Sequence, residues 1–191
     1  MSRYARAIVA GLIAAVVMSF LMTFVFGGAT PYIYGLFTGV FVAYIFGNLA
    51  GNRKVATVEG GEKDAALKLQ PPPGKALLVV FREGFVAKLA GLNIAVDGKE
   101  FAQLTAPKFT VLTLAPGAHR LTCAFGGLAG PQSKPGTYDF QVAEGGVAAV
   151  GIGVTMGLVQ GGLAFIPISD VDAARAKVSR MPMVKAQPAE I

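Results

Sequence analysis

The sequence predicts an all-β sandwich that is carried behind an N-terminal pair of membrane-spanning helices. Residues 7–26 and 32–50 are apolar runs without a charged residue, and each is close to the ~20 residues that cross the hydrocarbon core of a bilayer. From Lys75 onward, short β-prone runs alternate with turn sequences, as is typical of an all-β domain. The 191-residue chain is therefore expected to hold one anchor and one ordinary domain.

The composition agrees with a membrane anchor and argues against nucleic-acid binding. Hydrophobic residues make up 53% of the chain and charged residues 15%, whereas a soluble domain has about 25% charged residues. The apolar excess is concentrated in the first 50 residues. The formal charge is +6, but the basic residues are scattered, and the only adjacent pair is Arg53-Lys54. A nucleic-acid partner is therefore not expected.

The two apolar runs are predicted to form an antiparallel hairpin, because only the helix-breaking segment Gly27–Pro31 joins them. Small residues recur every four positions in the second run, and such a stripe lets two helix backbones approach closely in lipid. Either the stripe packs against the first helix, or it drives homo-oligomerisation or docking to another membrane protein. The residues of the stripe are Gly35, Gly39, Ala43, Gly47 and Gly51.

The positive charges predict the orientation of the hairpin. Arg3 and Arg6 precede the first run and Arg53 and Lys54 follow the second, so the positive-inside rule places both ends in the cytoplasm of a bacterial inner membrane. The β domain is then cytoplasmic. The alternative is a signal peptide cleaved near Gly27-Gly28-Ala29. In that case the domain is periplasmic only if the second run does not span the membrane.

Residues 52–74 are predicted to be a polar, proline-rich linker. The segment ends in Pro71-Pro72-Pro73-Gly74, which favours an extended, semi-rigid spacer. The β domain is expected over residues 75–181, and Ser169-Asp170-Val171-Asp172 predicts the start of a short helix at 170–180. Residues 182–191 are expected to be a disordered tail.

The β domain is predicted to have about seven or eight short strands. Asp97-Gly98 predicts a tight hairpin turn. Residues 145–169 are uncharged and rich in glycine, and two strands joined near 157–162 are preferred there to a third membrane span, because the apolar residues alternate with a period of two. The other predicted strands are 76–82, 92–96, 99–101, 109–114, 119–125 and 138–142.

Five segments, in this order, carry a resemblance to a known family. They are Gly74-Lys75-Ala76 leading into Phe81-Arg82, Asn93 to Lys99 (NIAVDGK), Leu114 to His119 (LAPGAH), Met156-Gly157, and Ile166 to Ser169 (IPIS). Over residues 74–180 the chain resembles a bacterial domain of unknown function related to PEGA-type β-sandwiches, which are common on small envelope proteins and lipoproteins. The resemblance implies an all-β sandwich without established catalytic residues. The chain departs from the pattern because it has no lipobox cysteine.

Motifs for catalysis or cofactor binding are missing from the sequence. There is no P-loop, GxSxG, HExxH or CxxC. One cysteine and one histidine, Cys123 and His119, form the only conceivable His/Cys metal pair. Arg82 ends the first strand of the β domain, where a carboxylate such as Glu83 or Asp139 is a candidate partner, and the sequence does not select between them. The candidate acid–base residues of the domain are Glu83, Asp97, Glu100, Asp139 and Glu144, and none of them is predicted to be catalytic. No cofactor or metal is predicted.

The predicted function is that of a non-enzymatic, membrane-anchored accessory protein. Its expected partners are the lipid bilayer and another membrane protein or a second copy of the chain. An alternative is a carbohydrate- or small-ligand-binding module that uses exposed aromatic rings. A hydrolase with a hidden carboxylate pair is a third hypothesis, which requires two carboxylates within about 5–10 Å in a cleft. The candidate rings for ligand binding are Phe85, Phe101, Phe125 and Tyr138.

Overall fold

A computed structural model describes residues 2–127, 130, 134–155, 162–188 and 190. Among these residues, two N-terminal apolar helices precede a mostly β body that contains two sheets and a C-terminal helix. The helical hairpin forms one compact unit, and the β body, which begins at Arg53, forms another. The predicted combination of apolar helices and a β domain is confirmed.

The two helices of the hairpin are α1, Arg3–Thr23, and α2, Thr30–Ala50. Helix α1 begins earlier than predicted because the Ser2 hydroxyl accepts a hydrogen bond from the Ala5 N–H at 3.1 Å and caps the first turn. Pro31 lies in the first turn of α2, where its missing N–H costs nothing. By length and composition, both helices are suited to crossing a membrane.

The β body consists of a six-stranded sheet in the order β1-β10-β5-β2-β8-β9 and a four-stranded sheet in the order β4-β3-β6-β7. Two short helices, α3 and α4, accompany the sheets. The strands are β1 Thr57–Val58, β2 Ala76–Arg82, β3 Leu92–Val96, β4 Lys99–Leu104, β5 Lys108–Leu114, β6 Gly117–Phe125, β7 Gly136–Val142, β8 Val147–Thr155, β9 Gly162–Ile168 and β10 Met183–Val184; α3 is Gly61–Leu67 and α4 is Val171–Ser179.

The central strand β2 is buried on both faces. Leu78 and Val80 point into an apolar core that they share with Ile94 of the smaller sheet. Val79 points the other way, into a second apolar cluster that includes Val178 of α4. Burial on two sides explains why residues 76–81 read as an unbroken apolar run and not as an alternating one. The shared core between two sheets is consistent with the predicted sandwich.

The glycine-rich stretch at 145–169 forms two antiparallel strands, β8 and β9, as preferred from the sequence. Gly151 lies against the ring of Phe81, since a Cβ built on Gly151 would be 2.7 Å from that ring. The segment joining the two strands, with Met156-Gly157 of the resemblance, lies outside the described residues apart from Gly162. The Asp97-Gly98 turn is confirmed: both residues have positive φ, +50° and +80°, as a type I′ hairpin requires.

Two boundary predictions need correction. The segment 52–74 is not a free spacer, because β1 pairs with β10, α3 follows it, and Val58 is buried. The segment 182–191 is not a disordered tail where it is described, because β10 pairs with β5 and Val184 is fully buried. The first segment buries only Val58 and Leu69, and the second buries Met183, Val184 and Ala186, so neither has a periodic apolar pattern. The two short strands raise the described strands to ten.

Candidate ligand-binding face of the smaller sheet

An open depression of about 560 Å³ lies on the smaller sheet. Strands β6 and β7 pair antiparallel beneath it, and the turn between β3 and β4 closes one side. Alternation along β6 turns His119 inward, whereas Arg120 is exposed. The lining residues are Asp97, Ala118, His119, Arg120, Asp139, Phe140 and Gln141.

His119 joins two turns at this depression. Its Nδ1 lies 2.7 Å from Asp97 Oδ2, and its Nε2 lies 2.8 Å from the carbonyl oxygen of Ala115. The other carboxylate oxygen, Asp97 Oδ1, accepts a hydrogen bond from the Arg120 N–H at 2.8 Å. The His119 side chain is only 11% exposed. Both ring nitrogens face acceptors, so only the protonated imidazolium donates to both of them.

The pKa values of this pair shift apart. Burial alone lowers the pKa of His119, but the hydrogen bonds to Asp97 and to the Ala115 carbonyl and the charge of Asp97 outweigh it, so the pKa is raised. Burial alone raises the pKa of Asp97, but hydrogen bonds from His119 and from the Arg120 N–H and the nearby positive charges outweigh it, so that pKa is lowered. The pair is therefore ionic in mild acid.

Arg120 and Asp139 form a two-pronged ion pair beside the depression. They lie directly opposite each other on β6 and β7. Arg120 Nε donates to Asp139 Oδ1 at 2.6 Å and Nη2 donates to Oδ2 at 3.0 Å. The hydrogen bonds and the charge of Arg120 hold the pKa of Asp139 below its usual value. A carboxylate pair that hydrolyses glycosides needs one carboxyl of raised pKa, and the pKa values of Asp97 and Asp139 are both lowered.

Four half-buried rings form a continuous row along one side of the smaller sheet. The ring centroids of His119 and Phe140 are 5.6 Å apart, those of Phe140 and Tyr138 are 6.5 Å apart, and those of Tyr138 and Phe165 are 5.7 Å apart. The planes of Tyr138 and Phe140 differ by 7° and those of Tyr138 and Phe165 by 17°. Residues two apart on a strand share a face, which places Tyr138 and Phe140 side by side.

The four rings named from the sequence have four different surroundings. Phe101 is 2% exposed and belongs to the core. Phe125 lies beneath the Arg82 guanidinium, with 5.5 Å from its centroid to Cζ. Phe85 is 88% exposed on a loop. Only Tyr138 joins the row. Its neighbour Phe140 is not among the rings named from the sequence. The spacing of two residues between Tyr138 and Phe140 does indicate that both rings lie on one face of a strand.

The prediction for Arg82 is wrong. Glu83 pairs with Lys177 at 2.8 Å and Asp139 pairs with Arg120, so neither meets Arg82. The buried guanidinium donates instead to the carbonyl oxygens of Leu104 at 2.9 Å, Ala87 at 2.7 Å, and Ala90. Burial lowers the pKa of Arg82 to about 10. Every residue has a backbone carbonyl oxygen, so a sequence pattern does not indicate which carbonyl oxygens a buried arginine meets.

The remaining candidate residues are dispersed. Cys123 is buried, which raises the pKa of its thiol to about 12. It lies four residues from His119 on β6, about 13 Å along a strand, which is too far for one metal ion. The described residues contain no group of three or more His, Cys, Asp or Glu side chains that could hold a metal. Glu100 pairs with Arg53 at 2.7 Å, and Glu144 is exposed.

The glycine stripe of α2 meets α1 of the same chain. A Cβ built on Gly39 would lie 2.7 Å from Ala15 Cβ and 2.8 Å from the Gly11 carbonyl oxygen. A Cβ built on Gly35 would collide with Ser19, and Ala43 lies against Gly11. Gly47 is also buried, and Gly51 is half-buried. The first three members of the stripe thus serve packing within the hairpin.

No protein-family model matches the chain, and no curated protein matches its sequence.

Proposed function

We propose that this protein is a non-enzymatic, membrane-anchored accessory protein whose β body binds another protein. The membrane anchoring is supported by the packing of the hairpin, which is inverted relative to that of a water-soluble protein: small residues lie inside and large apolar ones outside. Glycine and alanine lie between α1 and α2, whereas large side chains such as Phe37, Val16 and Leu12 point outward and are exposed. An apolar surface of this kind on both helices is stable in lipid and costly in water.

The orientation of the hairpin is part of the proposal. Arg3 and Arg6 lie in the first turn of α1 and Arg53-Lys54 follows α2, while the loop 24–29 has no charge. This distribution favours a cytoplasmic β body at a bacterial inner membrane. Reporter fusions at Gln70 and after Ile191 test this sidedness. Both fusions are expected to report the cytoplasm. Periplasmic reporter activity at both sites would overturn the orientation and favour the exported alternative.

The exposed edge of the smaller sheet supports protein binding. Among the described strands β7 pairs only with β6, and the side chains of Thr137, Asp139 and Gln141 are exposed along it. An edge strand offers unpaired N–H and C=O groups to an added strand. The two-sheet body also supports the proposed relationship to PEGA-type β-sandwiches.

Site-specific photo-crosslinking in native membranes tests the partner. A photoreactive residue at Gln141 is expected to capture a reproducible partner, whereas the same residue at the exposed Asp172 on α4 serves as the matched control. A monomeric protein without a Gln141-dependent adduct would overturn the proposal. Adducts of the chain with itself would identify a second copy as the partner. Because α1 of the same chain covers Gly35 and Gly39, any contact between the hairpins of two copies would have to use other helix faces.

A second candidate function, binding of a carbohydrate or a small planar ligand, is favoured by the row of rings. Sugars stack on aromatic faces, and charged side chains beside such a row fix the orientation of a ligand. Tyr138 and Phe140 supply the faces, and His119 with its partner Asp97, at the end of the row, supplies the polar groups. A glycan array probed with the full chain and with Tyr138→Ala tests it. Equal signals from both proteins would remove this candidate.

A further inference from the structure

The loop between β2 and β3 exposes large apolar side chains that the rest of the body hides. Phe85 is 88% exposed and Leu89 is 63% exposed. In the described part of the β body, Ile166 is the only other large hydrophobic residue that is exposed. Two such residues within five positions form a compact apolar tip, and exposed apolar patches mark contacts with a protein or a membrane.

The buried Arg82 fixes the shape of this loop. Its guanidinium donates to the carbonyl oxygens of Ala87 and Ala90 inside the loop and to that of Leu104 on β4. The Ala106 N–H also donates to the Lys88 carbonyl oxygen at 3.0 Å. A loose loop would fold its apolar side chains back onto the body. In this loop Phe85 and Leu89 stay exposed because hydrogen bonds from Arg82 and the Ala106 N–H fix its backbone.

The charge of the tip suits an anionic surface. Lys88 is exposed and is the only charged residue from Gly84 to Leu92. The nearest carboxylate along the chain, Glu83, is already paired with Lys177. Apolar side chains flanking a lysine match the interface of a bilayer, where the apolar groups reach the acyl chains and the ammonium meets lipid phosphates.

The loop lies at the same end of the β body as the first residue of that unit. Arg53, the first residue of the body, donates its N–H to Gln103 Oε1 at 2.6 Å. Gln103 in turn donates to Asn93 Oδ1 at 2.6 Å. Asn93 and Gln103 pair across β3 and β4, one residue from the end of each strand that borders the loop.

We infer that the β2–β3 loop is a second membrane contact, which inserts Phe85 and Leu89 among the headgroups of an anionic bilayer. The inference rests on the proposed membrane anchoring. Its effect is to hold one end of the β body against the bilayer, so that the opposite end, with the Asp97–His119 pair, faces away.

The missing tryptophan makes a direct test possible. The chain has no Trp, so Phe85→Trp yields one emitter at the tip, and Ile166→Trp yields a matched control at an exposed residue, 51% accessible, on the edge strand β9. Each full-length variant is reconstituted in vesicles of phosphatidylcholine and phosphatidylglycerol with brominated acyl chains. The emission of the Phe85→Trp variant is expected to shift to the blue and to be quenched at least two-fold more than that of the Ile166→Trp variant. Adding Lys88→Glu to the Phe85→Trp variant is expected to weaken the quenching.

Vesicle flotation separates the two possible failures. A chain that does not float with the vesicles refutes the membrane anchoring and the loop contact together. A Phe85→Trp chain that floats but emits as an indole in water refutes the loop contact alone. Equal quenching of the two tryptophan variants indicates adsorption of the whole body and also refutes it. A blue shift of the Phe85→Trp variant without quenching by the brominated acyl chains indicates a protein occupant and overturns the inference.

Discussion

The helical hairpin and the β body bury opposite kinds of side chain. Between α1 and α2 lie Gly11, Gly35 and Gly39, so that the two backbones touch, and the large side chains face outward. In the β body the interior is filled by residues such as Leu78 and Ile94, and Arg82 is the only buried charged residue among those that the structure describes; several of the others form ion pairs at the surface. The difference fits the surroundings proposed for each unit: water drives large apolar groups inward, whereas in lipid close packing is the main attraction between helices.

The largest expected effect comes from replacing a buried leucine of the β body by alanine, with the same replacement in the hairpin as its control. Leu78→Ala leaves a cavity in the fully buried core of the body and is expected to lower the free energy of unfolding by about 3–5 kcal/mol. Leu36→Ala, at a position 65% exposed on α2, is the matched control and should change it by less than about 0.5 kcal/mol. Chemical unfolding of the detergent-solubilised chain measures both. Equal losses would contradict the inverted packing.

Adding one methyl group should have opposite effects in the two units. Gly39→Ala places a Cβ 2.7 Å from Ala15 Cβ, so the helices must separate, at a cost of about 1–3 kcal/mol. Gly153→Ala on β8 meets only Ala164 Cβ at 3.9 Å, and it should leave stability unchanged or raise it by up to about 1 kcal/mol, because alanine loses less backbone freedom. Thermal unfolding followed by circular dichroism measures the difference. A neutral Gly39→Ala would show that the helices do not meet at the stripe.

The Asp97–His119 pair predicts a pH dependence of stability that is confined to the β body. The pKa of His119 is raised, so its contribution is complete below the unfolded value of about 6.5 and is lost as pH rises through the folded pKa. The pKa of Asp97 is lowered, so its contribution is complete above about 3.9 and is lost as pH falls through its folded pKa. Maximal stabilisation therefore lies between about pH 4 and 6.5.

Asp97→Asn tests this dependence without disturbing the turn, since asparagine also accepts the positive φ of a type I′ turn. The variant is expected to be less stable than the wild type by up to about 1 kcal/mol in mild acid, with the difference shrinking as pH rises. The chain has one histidine, so a single imidazole NMR resonance reports its titration directly. An unchanged His119 titration in the variant would exclude the pairing.

The smallest effect is expected for the Arg120–Asp139 pair. Both side chains are about two-thirds exposed, and exposed pairs contribute little because water and salt screen them. Arg120→Ala should therefore leave the unfolding midpoint unchanged in the same assay. A loss of stability as large as that of Asp97→Asn would mean that the pair supports the fold and is not simply available for binding.

The elements predicted most accurately are those whose pattern is local. Strand β3 and the strand at residues 76–82 have the predicted bounds, and the Asp97-Gly98 turn has the required dihedral angles. The predictions for segments 52–74 and 182–191 are wrong because their few buried residues make contacts far along the chain: Val58 and Met183 pair across 125 positions. No local period signals such contacts.

The candidate site is predictable only in part. Asp97 is correctly predicted to be a turn residue, but its partnership with His119 joins two turns that are 22 positions apart in the sequence. The row of rings depends on Phe165 of β9 stacking on Tyr138 of β7, which belongs to the other sheet. Neither contact has a sequence signature, since both arise from how the sheets meet.

The sequence by itself determined the two apolar helices, the small residues along α2, and the strand and turn order from Lys75 to Ile168, because each depends on the chemistry of neighbours along the chain. Only the tertiary structure decided that α1 covers Gly35 and Gly39, that Arg82 donates to carbonyl oxygens and ties a loop in place, and that Phe85 and Leu89 are left exposed. These depend on distances between residues that are remote in sequence, and burial is a property of the whole fold.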